Sequence, residues 1–307
     1  MGKTVFMFPG QGAQVTGMGK DFYEQFEEAK KVYEIASESS GIDVAKLCFE
    51  ENEQLHITEY TQIALLTTEV AILTVLEKMG VKADYAAGLS LGEYGALAAG
   101  KVMSLSDLFS LIRKRGIYMQ NAYPTGGAMT AVLGLDADTI AGICNETEGI
   151  VSIANDNCPG QIVITGEQTA VEAASEELMK QGAKRCVPLK VSGPFHSQLL
   201  EGAGEKLALD LQKVEVADPS IPYISNVTAD LVTESTGIKE LLAKQVSSPV
   251  RFRESILKLK ELGVTRYVEI GPGKTLAGFV RKTDRELSVL NIEKVEDLEK
   301  VKEQRDA

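Results

Sequence analysis

The pentapeptide Gly88-Leu89-Ser90-Leu91-Gly92 constrains the fold of this chain more than any other stretch. It reads G-x-S-x-G. A short strand-compatible run, Asp84-Tyr85-Ala86-Ala87, precedes it, and an alanine-rich, helix-compatible run from Glu93 to Ala99 follows it. A strand that passes through so tight a turn into a helix displays the serine hydroxyl at the turn. The helix beginning just beyond Ser90 points its free N–H groups and the positive end of its dipole at the same spot, where an oxyanion would form. The motif calls for an α/β fold and makes Ser90 a candidate nucleophile. A glycine-serine turn without chemistry also satisfies these five residues taken alone.

At 307 residues the chain has room for one large α/β domain, or for a large domain carrying a smaller inserted one. Its 44% hydrophobic and 25% charged content is that of an ordinary globular enzyme. With 32 basic and 44 acidic side chains the net charge is −12. Such a chain repels nucleic acid and anionic membranes, so an anionic partner must meet a local basic patch. Residues 1–9 read as a strand running into a glycine-rich loop, without the apolar core and cleavage site of a signal peptide. No stretch approaches ~18 uninterrupted apolar residues. Cys48, Cys144, Cys158 and Cys186 show no CxxC spacing and no histidine at metal-ligand spacing. They read as reduced thiols, no metal site is expected, and the cytoplasm is the expected compartment.

Residues 58–79 give the clearest helix, with Thr58 placed as its cap. Ile63, Leu65, Leu66, Val70, Ile72, Leu73, Val75 and Leu76 cover most of its circumference, which suits a helix inside a core. From 126 to 191 the texture changes. Residues 128–133 are strand-like, and 136–147 are helical behind an aspartate cap. Short strands at 150–154 and 161–165 flank a turn signal from Asn155 to Gly160. Residues 167–181 form a helix with Val171, Ala174, Leu178 and Met179 inward, and 184–191 a last strand. The order β-α-β-β-α-β is the ferredoxin-like arrangement. It predicts a small domain at 126–196 inserted into a larger one made of 1–125 and 197–307. Beyond it come a helix near 199–212, a strand at 223–225, a helix at 238–246 and a strand at 267–270. That strand leads through Gly271-Pro272-Gly273-Lys274 into another helix, and 293–306 reads as a solvated helix with frayed ends.

A serine hydroxyl needs a group to take its proton, and histidine suits the task. The chain has two histidines. His56 lies in a polar loop entering the 58–79 helix. His196 lies in Gly193-Pro194-Phe195-His196-Ser197, a turn at the exit of the insert, where a base would be displayed over a cleft. His196 is therefore the favoured partner of Ser90. No carboxylate stands out as a third member, and a carbonyl could accept the imidazole N–H instead. Gly10-Gln11-Gly12, after the first strand, lacks the spacing of a P-loop or dinucleotide fold and suits a loop whose backbone N–H points into a site. Arg113-Lys114-Arg115 lie on a helical stretch at 108–120, where neighbours point about 100° apart. Either Arg115 turns inward or the other two do.

Four motifs occur in order: Phe8-Pro9-Gly10-Gln11-Gly12-Ala13-Gln14, Gly88-Leu89-Ser90-Leu91-Gly92-Glu93-Tyr94, Gly193-Pro194-Phe195-His196-Ser197 and Glu269-Ile270-Gly271-Pro272-Gly273. Over essentially its whole length the chain resembles the malonyl-CoA:acyl carrier protein transacylase family. The resemblance implies a large α/β-hydrolase-like core carrying the ferredoxin-like insert. It implies malonyl-CoA and acyl carrier protein as partners, CoA and phosphopantetheine thioesters as substrates, and no metal or other cofactor. By the same resemblance Ser90 would carry the acyl group and His196 would act as base, then acid. Gln11 and Leu91 would give N–H groups to the oxyanion hole, Arg115 would pair with the malonyl carboxylate, and the Gln245 main-chain carbonyl would orient His196. Phe195 matches the form associated with malonyl rather than branched acyl units. Many members have histidine immediately before the nucleophile; here that residue is Leu89.

Two other readings are open to the sequence. A serine thioesterase or esterase on the same core would turn over acyl-CoA without an acceptor. A catalytically silent carrier-protein docking module would have no need of Ser90, His196 and Gln11 together. Lys184, Arg185 and Lys190 on the insert are candidates for a basic surface that meets an acidic carrier.

Overall fold

The computed structural model describes residues 2–191 and 193–301, and its strands form two sheets. The strands are β1 (Lys3–Phe8), β2 (Tyr85–Gly88), β3 (Gly127–Leu133), β4 (Val151–Cys158), β5 (Gln161–Glu167), β6 (Arg185–Pro188), β7 (Tyr223–Ile224), β8 (Leu231–Val232), β9 (Val264–Ile270) and β10 (Ser288–Ile292). The larger sheet runs β10-β9-β1-β2-β7-β8, parallel except for the β7–β8 pair. Phe8 pairs with Gly88, so β1 and β2 end level. The Gln11 loop and the serine turn thus leave the sheet side by side, at the carboxyl edge where open parallel sheets collect their ligands.

Side chains of the central strands alternate between two cores, as the period of two requires. Phe6, Phe8 and Ala86 face the Thr58–Lys78 helix, whereas Val5, Met7, Tyr85, Ala87 and Ile224 face Phe252, Ile256, Leu276 and Phe279 on the opposite side. Helices cover both faces, which explains why these strands are apolar throughout. The Thr58–Lys78 helix is buried without a break from Thr61 to Leu73, as expected of a core helix. By length and composition alone it is apolar enough to cross a membrane, but 83% of that stretch lies inside the protein. Thr58 does not cap it. The N-cap is Ile57, and the Thr58 hydroxyl instead accepts a hydrogen bond from Gln11 Nε2 at 3.0 Å. This helix start is packed against the Gln11 loop, which takes the hydroxyl for a tertiary bond.

The smaller sheet runs β4-β5-β3-β6, antiparallel at every pairing. The helices Ala137–Glu146 and Gln168–Lys180 pack on it around Val132, Ile140, Ile162, Ile164, Val171 and Leu178. Asp136 caps the first helix as expected, accepting the Thr139 N–H. Three local expectations need correction. Asn155 to Cys158 belong to β4, and the turn shrinks to Pro159-Gly160. The strand is prolonged because Asp156 N–H donates to Val250 O at 2.9 Å and Val250 N–H to Ala154 O at 2.8 Å. An Asp156–Arg253 ion pair at 2.8 Å holds the same seam. Met179 is 46% exposed, since it lies one residue, about 100°, beyond inward-facing Leu178. β6 ends at Pro188, short of the expected 191. At the C-terminus, Val295–Asp297 is a 3-10 turn and 298–301 are helical; the remainder of the expected helix lies outside the described residues.

Candidate active site

Ser90 sits in the left-handed region at φ 53°, a conformation that side chains other than glycine rarely adopt. The flanking glycines allow the turn to close on itself. A Cβ at Gly88 would lie 1.9 Å from the Gly92 carbonyl carbon, and one at Gly92 would lie 2.0 Å from the Phe8 carbonyl oxygen. Asn226, just after β7, holds the turn from outside. Its Oδ1 accepts the Ser90 N–H at 2.7 Å, and its Nδ2 donates to Gly88 O at 2.7 Å. Asn226→Ala leaves both backbone groups without these partners, so a loss of about 2–4 kcal/mol in unfolding free energy is expected in a denaturant titration. A loss below about 0.5 kcal/mol would show that Asn226 does not support the turn.

His196, also at positive φ (59°), places Nε2 2.7 Å from Ser90 Oγ. Its Nδ1 lies 2.9 Å from Gln245 O and 3.2 Å from Ser248 O. Carbonyl oxygens only accept, so Nδ1 carries the proton and the Nε2 lone pair faces the serine hydroxyl. Main-chain carbonyls do the orienting that a carboxylate does in a triad. Burial holds the imidazole down, to about 4, with the Arg115 charge acting in the same direction and the two carbonyl bonds opposing. The imidazole is thus neutral across the physiological range. Serine acylation is expected to rise with pH through about 4 and to show no histidine inflection near 6.5, which a rapid-quench pH profile would check. His56 is exposed, at the end of the Gln54–His56 turn.

Arg115 turns inward. It is 1% exposed on the Leu105–Ala122 helix, while Arg113 pairs with Glu59 at 2.9 Å and Lys114 with Asp210 at 2.8 Å. Its Nη1 donates to Gln62 Oε1 at 2.6 Å. Its Nη2 donates to Gln245 Oε1 at 2.9 Å and to Ser90 Oγ at 3.2 Å. A buried guanidinium held by amide oxygens beside the nucleophile is a fork ready for a substrate carboxylate.

A cavity of about 210 Å³ opens over Ser90 and His196. Gln11, Leu89 and Leu91 line its core side, and Met129, Val163, Leu189 and Val191 its insert side, with Phe195 beside the histidine. Among the described residues, neither the Gln11 nor the Leu91 N–H is engaged in a hydrogen bond, in keeping with donors left for a ligand. Leu89, the residue before the serine, contributes an apolar wall. Of the six residues singled out from the sequence, Ser90, His196, Gln11 and Leu91 line this cavity, while Arg115 and Gln245 are buried behind it and hydrogen-bonded to Ser90 and His196. Sequence reasoning missed Gln62, Asn226 and Ser248, which act through long-range hydrogen bonds and lie in no motif.

The chain matches the acyl transferase domain family over residues 5–306. It is 47% identical over 304 residues to the malonyl CoA-acyl carrier protein transacylase of Bacillus subtilis (strain 168), covering 97% of this chain and 96% of that protein. The crystal structure of the transacylase of the same name from Clostridium perfringens aligns with a TM-score of 0.95 at 44% identity, over 99% of this chain and 97% of that one. A malonyl-transacylase solved in complex with a type II PKS acyl-carrier protein aligns with a TM-score of 0.95 at 37% identity, over 98% of this chain and 99% of that one. With the serine of the elbow hydrogen-bonded both to its histidine and to the inward arginine, this chain belongs to the malonyl CoA-acyl carrier protein transacylases of the acyl transferase family.

Proposed function

We propose that the protein transfers a malonyl group from malonyl-CoA to the phosphopantetheine thiol of acyl carrier protein, through a malonyl ester on Ser90. The observation that carries this reading is the position of Arg115 Nη2, 3.2 Å from the nucleophile, which puts a carboxylate fork where the far end of a malonyl group reaches. In the first half-reaction His196 Nε2 takes the Ser90 proton as Oγ attacks the thioester carbonyl. The N–H groups of Gln11 and Leu91 receive the oxyanion. The C–S bond then breaks, and His196 returns the proton to the departing CoA sulfur. The second half repeats these steps in reverse order, with the carrier thiol giving its proton to His196 and attacking the ester. Two thioesters of similar energy are exchanged, so the chemistry calls for no metal or nucleotide. Phe195, buried at the cavity wall, leaves little room for a branch on the acyl group.

The same reading takes the chain as an α/β-hydrolase-like core, 1–125 and 197–307, with a ferredoxin-like insert at 126–196. The separate apolar cluster of the smaller sheet and its β4-β5-β3-β6 order support it. The free state of all four cysteines suits a reducing, cytoplasmic compartment. For the acidic carrier, exposed Lys184 joins Arg281, Lys282 and Arg285 along an open groove between insert and core. Lys184→Glu is expected to raise KM for the carrier several-fold and to weaken its salt dependence, with CoA-side acylation unchanged.

Intact-mass measurement after brief exposure to malonyl-CoA or acetyl-CoA tests the function. A persistent malonyl adduct on the peptide bearing Ser90, with little acetyl adduct, is the expected result. CoA release with no lasting adduct would identify a hydrolase instead.

A further inference from the structure

Arg115 is fully buried, yet among the described residues no carboxylate touches it. The nearest acid joined to it is Glu93, in the first turn of the Gly92–Ala99 helix, itself 0% exposed. The connection runs through one amide. Gln245 Oε1 accepts from Arg115 Nη2 at 2.9 Å, and Gln245 Nε2 donates to Glu93 Oε2 at 2.5 Å. Asn226 N–H also donates to Oε2, at 3.2 Å, while Glu93 Oε1 has no partner among the described residues. The other titratable groups acting on this carboxyl or on its tyrosine neighbours are Tyr94 on its own helix and Tyr223 on β7. Both are phenols that burial keeps neutral. His196, also neutral, is joined to Arg115 through Ser90 Oγ. Among the described residues of this buried cluster, Arg115 and Glu93 are therefore the pair able to balance one another.

We propose that Glu93 is the counter-charge of Arg115 in the empty site, and that it takes up a proton when a substrate carboxylate arrives. The proposal rests on the malonyl reading given above. A malonyl carboxylate on the guanidinium would leave two buried anions sharing one cation, and the unpartnered Oε1 is free to hold the proton that relieves this. Burial already lifts the Glu93 carboxyl to about 7, with Gln245, Asn226 and Arg115 pulling it down, so a modest further push suffices near neutral pH. Malonyl binding and Glu93 protonation are then reciprocally linked: each favours the other. The sign follows directly. Below about 7 Glu93 is already protonated and malonyl binds without proton uptake; between its free and its malonyl-bound value binding draws protons from solution, and binding weakens as pH rises through that window. Glu93 is a positioning and selectivity residue that acts through Gln245 without touching the acyl group.

The test is kcat/KM for malonyl-CoA and for acetyl-CoA between about pH 5.5 and pH 9, in the intact protein and in Glu93→Gln. The two substrates share the titrating phosphates and the same thioester, so their ratio isolates the carboxylate. If the incoming charge raises Glu93 by about one pK unit, the malonyl-to-acetyl ratio falls about tenfold through neutral pH in the intact protein. In Glu93→Gln the ratio stays level. Should that variant not fold, proton uptake by Ser90→Ala on binding malonyl-CoA, read calorimetrically in two buffers of different ionisation enthalpy, supplies the same answer. Uptake with malonyl-CoA and none with acetyl-CoA is the expected result. A ratio independent of pH in the intact protein, or a fall retained in Glu93→Gln, overturns the proposal while leaving malonyl transfer standing. Absence of malonyl transfer at every pH overturns both.

Discussion

Replacing Ser90 with alanine is expected to abolish the malonyl adduct and to lower carrier-dependent transfer by about a millionfold, the scale on which serine enzymes lose turnover when the nucleophile is deleted. His196→Ala should cost nearly as much. Its Nε2 is the acceptor 2.7 Å from Oγ, and both carbonyls on Nδ1 serve only to keep that lone pair in place. The two side chains act as a unit, because a hydroxyl without its base is as idle as a base without its hydroxyl. The double variant is accordingly expected to be no slower than either single one. Transfer rates of the three variants, with intact masses, check this. An adduct that survives in Ser90→Ala would place the nucleophile elsewhere. Additive losses in the double variant would mean that His196 acts on something other than Ser90.

Arg115→Ala is expected to lower kcat/KM for malonyl-CoA by about 10²–10³-fold and to change that for acetyl-CoA by less than about threefold. A desolvated carboxylate left without its cation costs 2–5 kcal/mol, and each 1.4 kcal/mol is a factor of ten. Acetyl has no carboxylate and forgoes only the 3.2 Å contact of Arg115 with Ser90 Oγ, weaker than the 2.7 Å bond to His196 that remains. The fold should tolerate the change, since among the described residues no carboxylate touches Arg115, and Glu93, joined to it through Gln245, can take up a proton when the cation is gone. It does leave Gln62 Oε1 and Gln245 Oε1 without donors, which a water in the vacated space can satisfy. Arg115→Lys keeps the charge but loses the planar fork, and should fall between the two. Equal losses for both acyl groups would refute the carboxylate clamp.

Much of the site was legible because its parts are local. The serine elbow announces itself through glycines whose Cβ atoms would collide with Gly92 and Phe8, a steric demand confined to a few residues and to the adjoining strand. Two histidines in the whole chain, one of them in a glycine-proline turn, narrowed the base to His196. The strands and helices of the smaller sheet could be read from their periods, and the errors lay at the edges. β4 ran on through Asn155 to Cys158 because Val250, nearly a hundred residues away, supplied the pairing that the local turn signal denied.

By itself the chain determined the backbone turn at Ser90, the buried character of the 58–79 helix and the alternation of strands with helices, all set by sterics and by apolar spacing over a few residues. The spacing of residues left open which way Arg115 faces and what steadies His196, for which only the resemblance gave an expectation; tertiary structure decided these, and it alone showed how the elbow is held. Those outcomes depend on Gln62, Asn226, Gln245 and Ser248, brought in from 19 to 155 residues away along the pairs they form, and on Glu93 at the far end of the Gln245 amide. Hydrogen bonds between buried groups carry no periodicity, so no local pattern encodes them. They exist only once the sheet has brought the ends of β1, β2 and β7 together and water has been excluded from between them.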